Sequence, residues 1–183
     1  LVAQAIRRAE PLHHVDVGSR FDGFVAHVAS FRSLEVFDVR PLQRPIPGVQ
    51  FCQRDLMQSV PEAYCDSVSC LHALEHFGLG RYGDPIDPQG DAKGLANLAR
   101  LLRVGGTLYL STPIGRPRVI FNANRVFDPR QLLAKAAEHG LQLQALTTIT
   151  PKGIVIPIEA SAAALDQLAQ YDYLLGVFEL RKL

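Results

Sequence analysis

The sequence predicts an α/β domain: a doubly wound, mostly parallel sheet with helices on both faces. Two observations lead there. Short apolar, strand-like runs alternate with helical stretches five times along the 183 residues, the order that builds parallel sheets. No repeat, low-complexity tract or linker interrupts them, so residues 1–183 read as one domain. The composition, 48% hydrophobic and 20% charged, is that of a globular chain and excludes a disordered or fibrous one.

The elements follow in order. His13 to Gly18 reads as a strand ending at a glycine, and Gly23 to Phe31 as a helix with Phe24, Val25, Val28 and Phe31 on one face. Leu34 to Asp38, Val49 to Asp55 and Asp66 to Leu71 are the next three strands. Asp91 to Arg103 carries Leu95, Leu98, Leu101 and Leu102 at helical spacing, and Gly105-Gly106 stops it. Thr107 to Thr112 is a fifth strand, ended by Pro113. Asp128, Pro129 and Gln131 form an acidic cap, a first-turn proline and a capping-box residue for a helix that runs to Gly140. Leu141 to Thr150 and Tyr173 to Leu183 are two further strands, separated by an Ala-rich helix from Ser161 to Gln170. The last strand has no helix after it and fits an antiparallel position.

A net charge of +1 asks for neither nucleic acid nor an anionic membrane. No window approaches a membrane span, and no signal-peptide pattern opens the chain. Cys52, Cys65 and Cys70 lie in apolar, strand-like settings, which suits free thiols in a reducing, cytoplasmic compartment. The first residue is Leu1, so the start of the natural protein is expected to be missing.

In a doubly wound sheet, ligands bind beyond the carboxyl ends of the strands. The first strand ends in Asp16-Val17-Gly18-Ser19-Arg20-Phe21-Asp22-Gly23. Gly18 and Gly23 match the outer glycines of G-x-G-x-x-G, but Arg20 replaces the middle one, which lets backbone approach a pyrophosphate. That argues against a nicotinamide dinucleotide and leaves room for a nucleoside cofactor without pyrophosphate. Asp38 ends the second strand, twenty residues beyond Gly18, the separation at which a carboxylate accepts ribose hydroxyls. Asp55 ends the third, placed to accept an adenine amine or to cap the turn at Leu56.

The fourth strand leads into His72-Ala73-Leu74-Glu75-His76, an H-x-x-E-H pattern. Zinc would need both histidines on one helix face, whereas the run before His72 reads as a strand. Either imidazole could serve as a general base, and packing or capping is the plainer alternative. Phe77 to Gly90 is a fourteen-residue loop, a length usually associated with function. Its Asp84 and Asp87 each precede a proline and read first as turn residues. Fifteen of the 19 basic residues are arginines, and Arg116, Arg118 and Arg125 follow the fifth strand, where guanidinium groups suit a carboxylate or phosphate.

With these residues in view, the chain from about His13 to Leu183 resembles a class I S-adenosylmethionine-dependent methyltransferase. The run Leu-Leu-Arg-Val-Gly-Gly-Thr-Leu at 101–108 looks like that family's helix-to-fifth-strand segment, and Leu74-Glu75-His76 stands where many small-molecule methyltransferases carry a similar tripeptide. DVGSRFDGFVAH, LHALEHFGLGRYGDPIDPQGD and FNANRVFDP look like signatures of an uncharacterised methyltransferase-like family, a domain of unknown function. The resemblance implies a Rossmann-like, seven-stranded sheet with an antiparallel last strand and S-adenosylmethionine as cofactor. It implies that Asp16 and Gly18, with Ser19 and Arg20 in the same turn, flank the methionine part. Asp38 would then hold the ribose, Asp55 and Leu56 the adenine, and His72 would lie near the sulfonium. Gly23 falls one position later than that family's spacing.

The resulting expectation is methyl transfer to an oxygen or nitrogen of a small, anionic or sugar-linked acceptor. His72 or His76 would act as base, and Tyr82, Arg116, Arg118 and Arg125 would meet the acceptor. Neither nucleic acid nor membrane is expected as a partner, and the oligomeric state is not legible. Two alternatives stay open: a binding or scaffold module that keeps the fold without catalysis, and a metal-dependent hydrolase using His72 and His76.

Overall fold

The computed structural model describes residues 1–183, the side chain of Asp22 excepted. Ten strands and five α-helices follow the order α1 (Val2–Ala9), β1 (His14–Val17), α2 (Ala26–Ala29), β2 (Leu34–Asp38), β3 (Val49–Gln53), β4 (Cys65–Leu71), α3 (Gly90–Leu101), β5 (Leu102–Ile114), β6 (Arg118–Ile120), β7 (Asn124–Val126), α4 (Pro129–Glu138), β8 (Leu141–Ile149), β9 (Val155–Ile158), α5 (Ala162–Leu168) and β10 (Leu174–Lys182). The main sheet runs β3-β2-β1-β4-β5-β10-β8-β9. The first five of these strands are parallel, and β10 lies antiparallel between β5 and β8. The doubly wound, mostly parallel prediction holds, with an eighth strand in place of seven.

Each helix buries the stripe its spacing dictates. Ile6, Val25 and Val28 pack with Leu34, Val36 and Tyr109 on one face of the sheet. Leu95, Leu98, Leu101, Leu132 and Ala136 pack with Val15, Val68, Leu108 and Leu110 on the other. The Asp128 carboxylate caps α4 by accepting from the Arg130 amide at 2.9 Å, with Pro129 at the first position.

Three details differ from the sequence reading. The helix placed at Gly23 to Phe31 is a π-helical turn over Phe21–Val25 followed by one turn of α2. Strand β5 begins at Leu102, not Thr107, because the opening residue pairs with Cys65; the Gly105-Gly106 stretch is absorbed where the register slips between Cys65 and Ser67. The hairpin β6–β7 and the edge strand β9 escape a hydrophobic-pattern reading because they are only three or four residues long, and β6 and β9 are also largely exposed. Pro157 in β9 suits an edge, where a missing N–H costs no ladder bond.

Strand order reverses between β1 and β4, and a buried polar chain joins the two there. His14 Nδ1 lies 2.8 Å from Ser67 Oγ, His14 Nε2 lies 3.1 Å from Ser69 Oγ, and Ser69 Oγ donates to Asp16 Oδ1 at 2.5 Å. Since the Ser69 proton goes to the carboxylate, its oxygen accepts from His14 Nε2–H, and Nδ1 accepts from Ser67. Burial, helped by the Arg32 charge, pushes the imidazole down to about 3. Burial also pushes the Asp16 carboxyl up to about 6, against the downward pull of Ser69 and Ser19.

The two shifts act on stability with opposite signs. The unfolded chain protonates His14 near 6.5 and the folded chain near 3, so that contribution is complete above 6.5 and is lost as pH falls. The folded chain keeps the Asp16 proton to about 6 against 3.8 unfolded, so that contribution is present in acid and is lost as pH rises through 6. Denaturant titrations at pH 5 and pH 7 separate them. Relative to the parent, His14→Gln gains stability on going to pH 5 and Asp16→Asn loses it, each on the order of 1 kcal/mol. Parallel pH profiles for all three proteins would refute the assignment.

Candidate functional site

Because β1 to β4 are parallel, the turns after all four open at one edge of the sheet. They line a cleft of about 580 Å³ at the strand-order switch. The turn after β1 brings Gly18, Ser19 and Arg20, β2 leads to Asp38 and Arg40, β3 to Arg54, Asp55 and Leu56, and β4 to His72 and His76. Tyr82 and Asp84 of the long loop complete the wall.

The β1 turn is held from below. Asp16, fully buried, does not line the cleft; it accepts from Ser19 N at 3.2 Å and Ser19 Oγ at 2.9 Å, fixing the turn that does. Gly18 has φ +74°, and a Cβ there would lie 2.8 Å from Ala73 Cβ, so the position demands glycine twice over. Nothing lies within 4 Å of a Cβ built at Gly23, and Arg20 takes an ordinary extended backbone. The three-glycine dinucleotide logic is therefore absent, and one glycine makes the cradle.

Asp38 is buried and already engaged. Its oxygens accept from Arg40 Nε at 2.9 and 3.2 Å, from Arg40 Nη2 at 2.5 Å and from the Arg40 amide at 2.8 Å. The same guanidinium lies 5.0 Å from the centre of the Tyr82 ring, which packs edge-on against His76 at 5.5 Å. Arg40 thus links the second strand to the long loop. Asp55 Oδ1 accepts from the Met57 amide at 2.8 Å, so it caps the turn while lining the cleft. Arg54 lies over the Phe37 ring, and its buried Nε has no hydrogen-bond acceptor among the described residues.

His72 takes the left-handed conformation, φ +57°, unusual for a side chain of this size. Its Nδ1 stands 3.0 Å from Glu75 Oε1, and the carboxylate, buried to 1% exposure, also accepts from Thr112 Oγ1 at 3.4 Å. Nδ1 is therefore the protonated nitrogen, and Nε2 is left as a base. His76 donates from Nδ1 to the Ala123 carbonyl at 2.5 Å, which leaves its Nε2 3.9 Å from Glu75. Leu74–His76 is a single 3-10 turn, so the one-face helix geometry of the zinc pattern is not formed. Among the described residues no group of three or more His, Cys, Asp or Glu could hold a metal ion. Asp84 accepts from the amides of Gly78, Gly80 and Tyr82, and Asp87 accepts from Gln89 N and Lys93 Nζ, so both shape the loop.

The three loop arginines do not line this cleft. Arg116 is ion-paired with Asp172, and Arg118 donates to the carbonyls of Arg116 and Asp172. Arg125 is buried beside Asp91 and donates to the Phe77 carbonyl at 2.5 Å. The hairpin β6–β7, unseen in the sequence pattern, carries two of them away from the mouth. Sequence reasoning gave no role to Glu75, Arg40 or Arg54; the only signals were Glu75 between two histidines and two arginines next to strand-end aspartates.

The donors and acceptors present suit a nucleoside with an amino-acid tail. One glycine permits close approach, carboxylates stand at the ends of β2 and β3, and an orphan N–H donor faces no acceptor of the chain's own.

A family model described as Caenorhabditis protein of unknown function, DUF268, matches residues 50–139. No curated protein matches the sequence. Among solved structures, the 1,6-didemethyltoxoflavin-N1-methyltransferase of Burkholderia thailandensis, with bound 1,6-didemethyltoxoflavin and S-adenosylhomocysteine, superposes with a TM-score of 0.67 at 19% identity, covering 99% of this chain and 76% of that one. The N-methyltransferase NodS of Bradyrhizobium japonicum, in complex with S-adenosylhomocysteine, gives 0.61 at 15%, covering 97% and 83%. The [4+2]-cyclase SpnF gives 0.65 at 15%, covering 93% and 75%. At such identities the likeness speaks for architecture and selects no reaction. The chain has the Rossmann-like fold of the class I S-adenosylmethionine-dependent methyltransferases.

Proposed function

We propose that the chain binds S-adenosylmethionine in the cleft at the strand switch and transfers its methyl group to an oxygen or nitrogen of a small acceptor. The observation that supports this most is the convergence of Gly18, Asp38, Asp55 and His72, each at the end of a successive parallel strand, on one cleft. In this reading Gly18, Ser19 and Arg20 hold the amino-acid part, Asp38 the ribose, and Asp55 with Leu56 the adenine.

When bound, S-adenosylmethionine would supply an activated methyl group, its sulfur keeping the bonding electron pair as the acceptor's lone pair takes the methyl carbon. The chain's task is alignment and proton removal. His72 Nε2 takes the acceptor's proton, and Glu75, bonded to Nδ1–H, fixes the tautomer and offsets the charge that the ring gains. Tyr82, stacked on Arg40, covers one side of the cleft and limits water.

One observation favours a second reading, a binding module that keeps the fold and does not take this cofactor: Arg40 already occupies the Asp38 carboxylate that a ribose needs. Calorimetric titration with S-adenosylhomocysteine discriminates the two. Asp38→Ala should weaken binding by about tenfold or more, the worth of a charge-assisted hydrogen bond. Arg40→Ala should tighten it several-fold, because the ribose then finds the carboxylate free. Absence of binding to the parent protein and to Arg40→Ala alike would sink the methyltransferase reading and leave the binding module.

A further inference from the structure

Arg40 spans the cleft as well as lining it. From the end of β2 its guanidinium reaches three walls. It donates to the Asp38 carboxylate through Nε and Nη2, Nη2 stands 3.4 Å from the Gly18 carbonyl oxygen in the turn after β1, and the group lies 5.0 Å from the centre of the Tyr82 ring in the long loop. A carboxylate offers about four lone-pair sites. At Asp38 they are filled: Oδ1 accepts from the Arg40 amide and Nε, and Oδ2 accepts from Nε and Nη2. Since Asp38 is only 4% exposed, two hydroxyls can reach it only where the guanidinium now sits.

Resting on the nucleoside half of the methyl-transfer reading, we propose that Arg40 is a latch: a vicinal diol that seats on Asp38 expels the guanidinium and so detaches the loop 77–90 from β2. The exchange is balanced. Two O–H donors replace Nε–H and Nη2–H, so the buried carboxylate stays satisfied. The Arg40 side chain is 39% exposed, so water takes over the donors it frees, and a half-exposed ion pair of this kind is weak enough for a neutral ligand to displace. The guanidinium can leave with the Tyr82 ring still on its face; what is lost is the anchor at Asp38. The loop's other ties run elsewhere. Arg81 Nη1 donates to the Asn122 carbonyl at 3.3 Å and His76 donates to the Ala123 carbonyl, both in the hairpin, while Asp84 accepts from the loop's own amides. Release therefore frees the loop on its β2 side and leaves it hinged at β6–β7. A nucleoside without the diol cannot replace both donors and leaves the latch closed.

The test follows amide hydrogen exchange of the segment 77–90 in the whole chain, with adenosine and 2′,3′-dideoxyadenosine as probes and calorimetry for their binding. Arg40→Ala, without any ligand, should raise exchange in that segment by about threefold, the worth of the lost cation–π anchor, and leave β4 unchanged. Saturating adenosine should do the same to the parent and add nothing to Arg40→Ala, whereas dideoxyadenosine should leave the segment at the parent's rate. Adenosine should also bind Arg40→Ala about threefold or more tightly than the parent. An unmoved segment in Arg40→Ala, equal effects of the two nucleosides, or adenosine binding neither protein overturns the latch. The ligand-free comparison does not depend on the cofactor, so a cleft that refuses S-adenosylhomocysteine while Arg40→Ala loosens the loop and adenosine binds counts against the methyl-transfer reading alone.

Discussion

Asp16 stands where the strand order reverses, without solvent exposure, and spends its oxygens on Ser19 and Ser69. Through those bonds, a charge that is costly to bury ties the cleft-facing turn of β1 to the middle strand β4. His14 and Ser67 extend the chain of partners, so each buried polar atom in it is satisfied. A network of this kind adds little net stability, since desolvation offsets much of the attraction. What it supplies is position: the glycine turn cannot shift without stranding a carboxylate in the core.

The parallel strands then set what can meet. Four consecutive carboxyl ends open at one edge, which brings residues as distant in sequence as Gly18 and His72 to one wall. Contacts among them are already made. Arg40 binds Asp38 and stacks on Tyr82, Tyr82 packs on His76, and His76 donates to the hairpin at Ala123. The loop from 77 to 90 is therefore shaped by its own aspartates and held to the second strand by one guanidinium. Gly78 permits this closure, because a Cβ there would fall 2.0 Å from the Asp87 carbonyl oxygen.

Division of charge organises the rest. Arginines and aspartates of both signs gather at the cleft, while no Asp, Glu, Lys or Arg side chain among the described residues lines the neighbouring space between α1, β8 and β10. His72 joins the two. Its left-handed backbone and its bond to buried Glu75 make it a side chain whose direction is set by the fold.

The alternation of apolar runs and helical stripes was sufficient for the class, the parallel core and most element positions, because burying those runs has few solutions. The places of Gly18, Asp38 and Asp55 at the cleft were legible for the same reason: strand ends are read from hydrophobic patterning, and the topology rule says at which ends a cleft opens. Pieces of three or four residues, β6, β7 and β9, carry too little apolar pattern to be seen. Sequence alone determined the sheet and the row of acidic strand ends. Only the tertiary structure decided that Asp16 lies beneath the cleft, that Arg40 caps Asp38, that Glu75 orients His72 and that the loop arginines turn away. Those are contacts between residues brought together by packing, and local spacing holds no record of where a long side chain finds its partner.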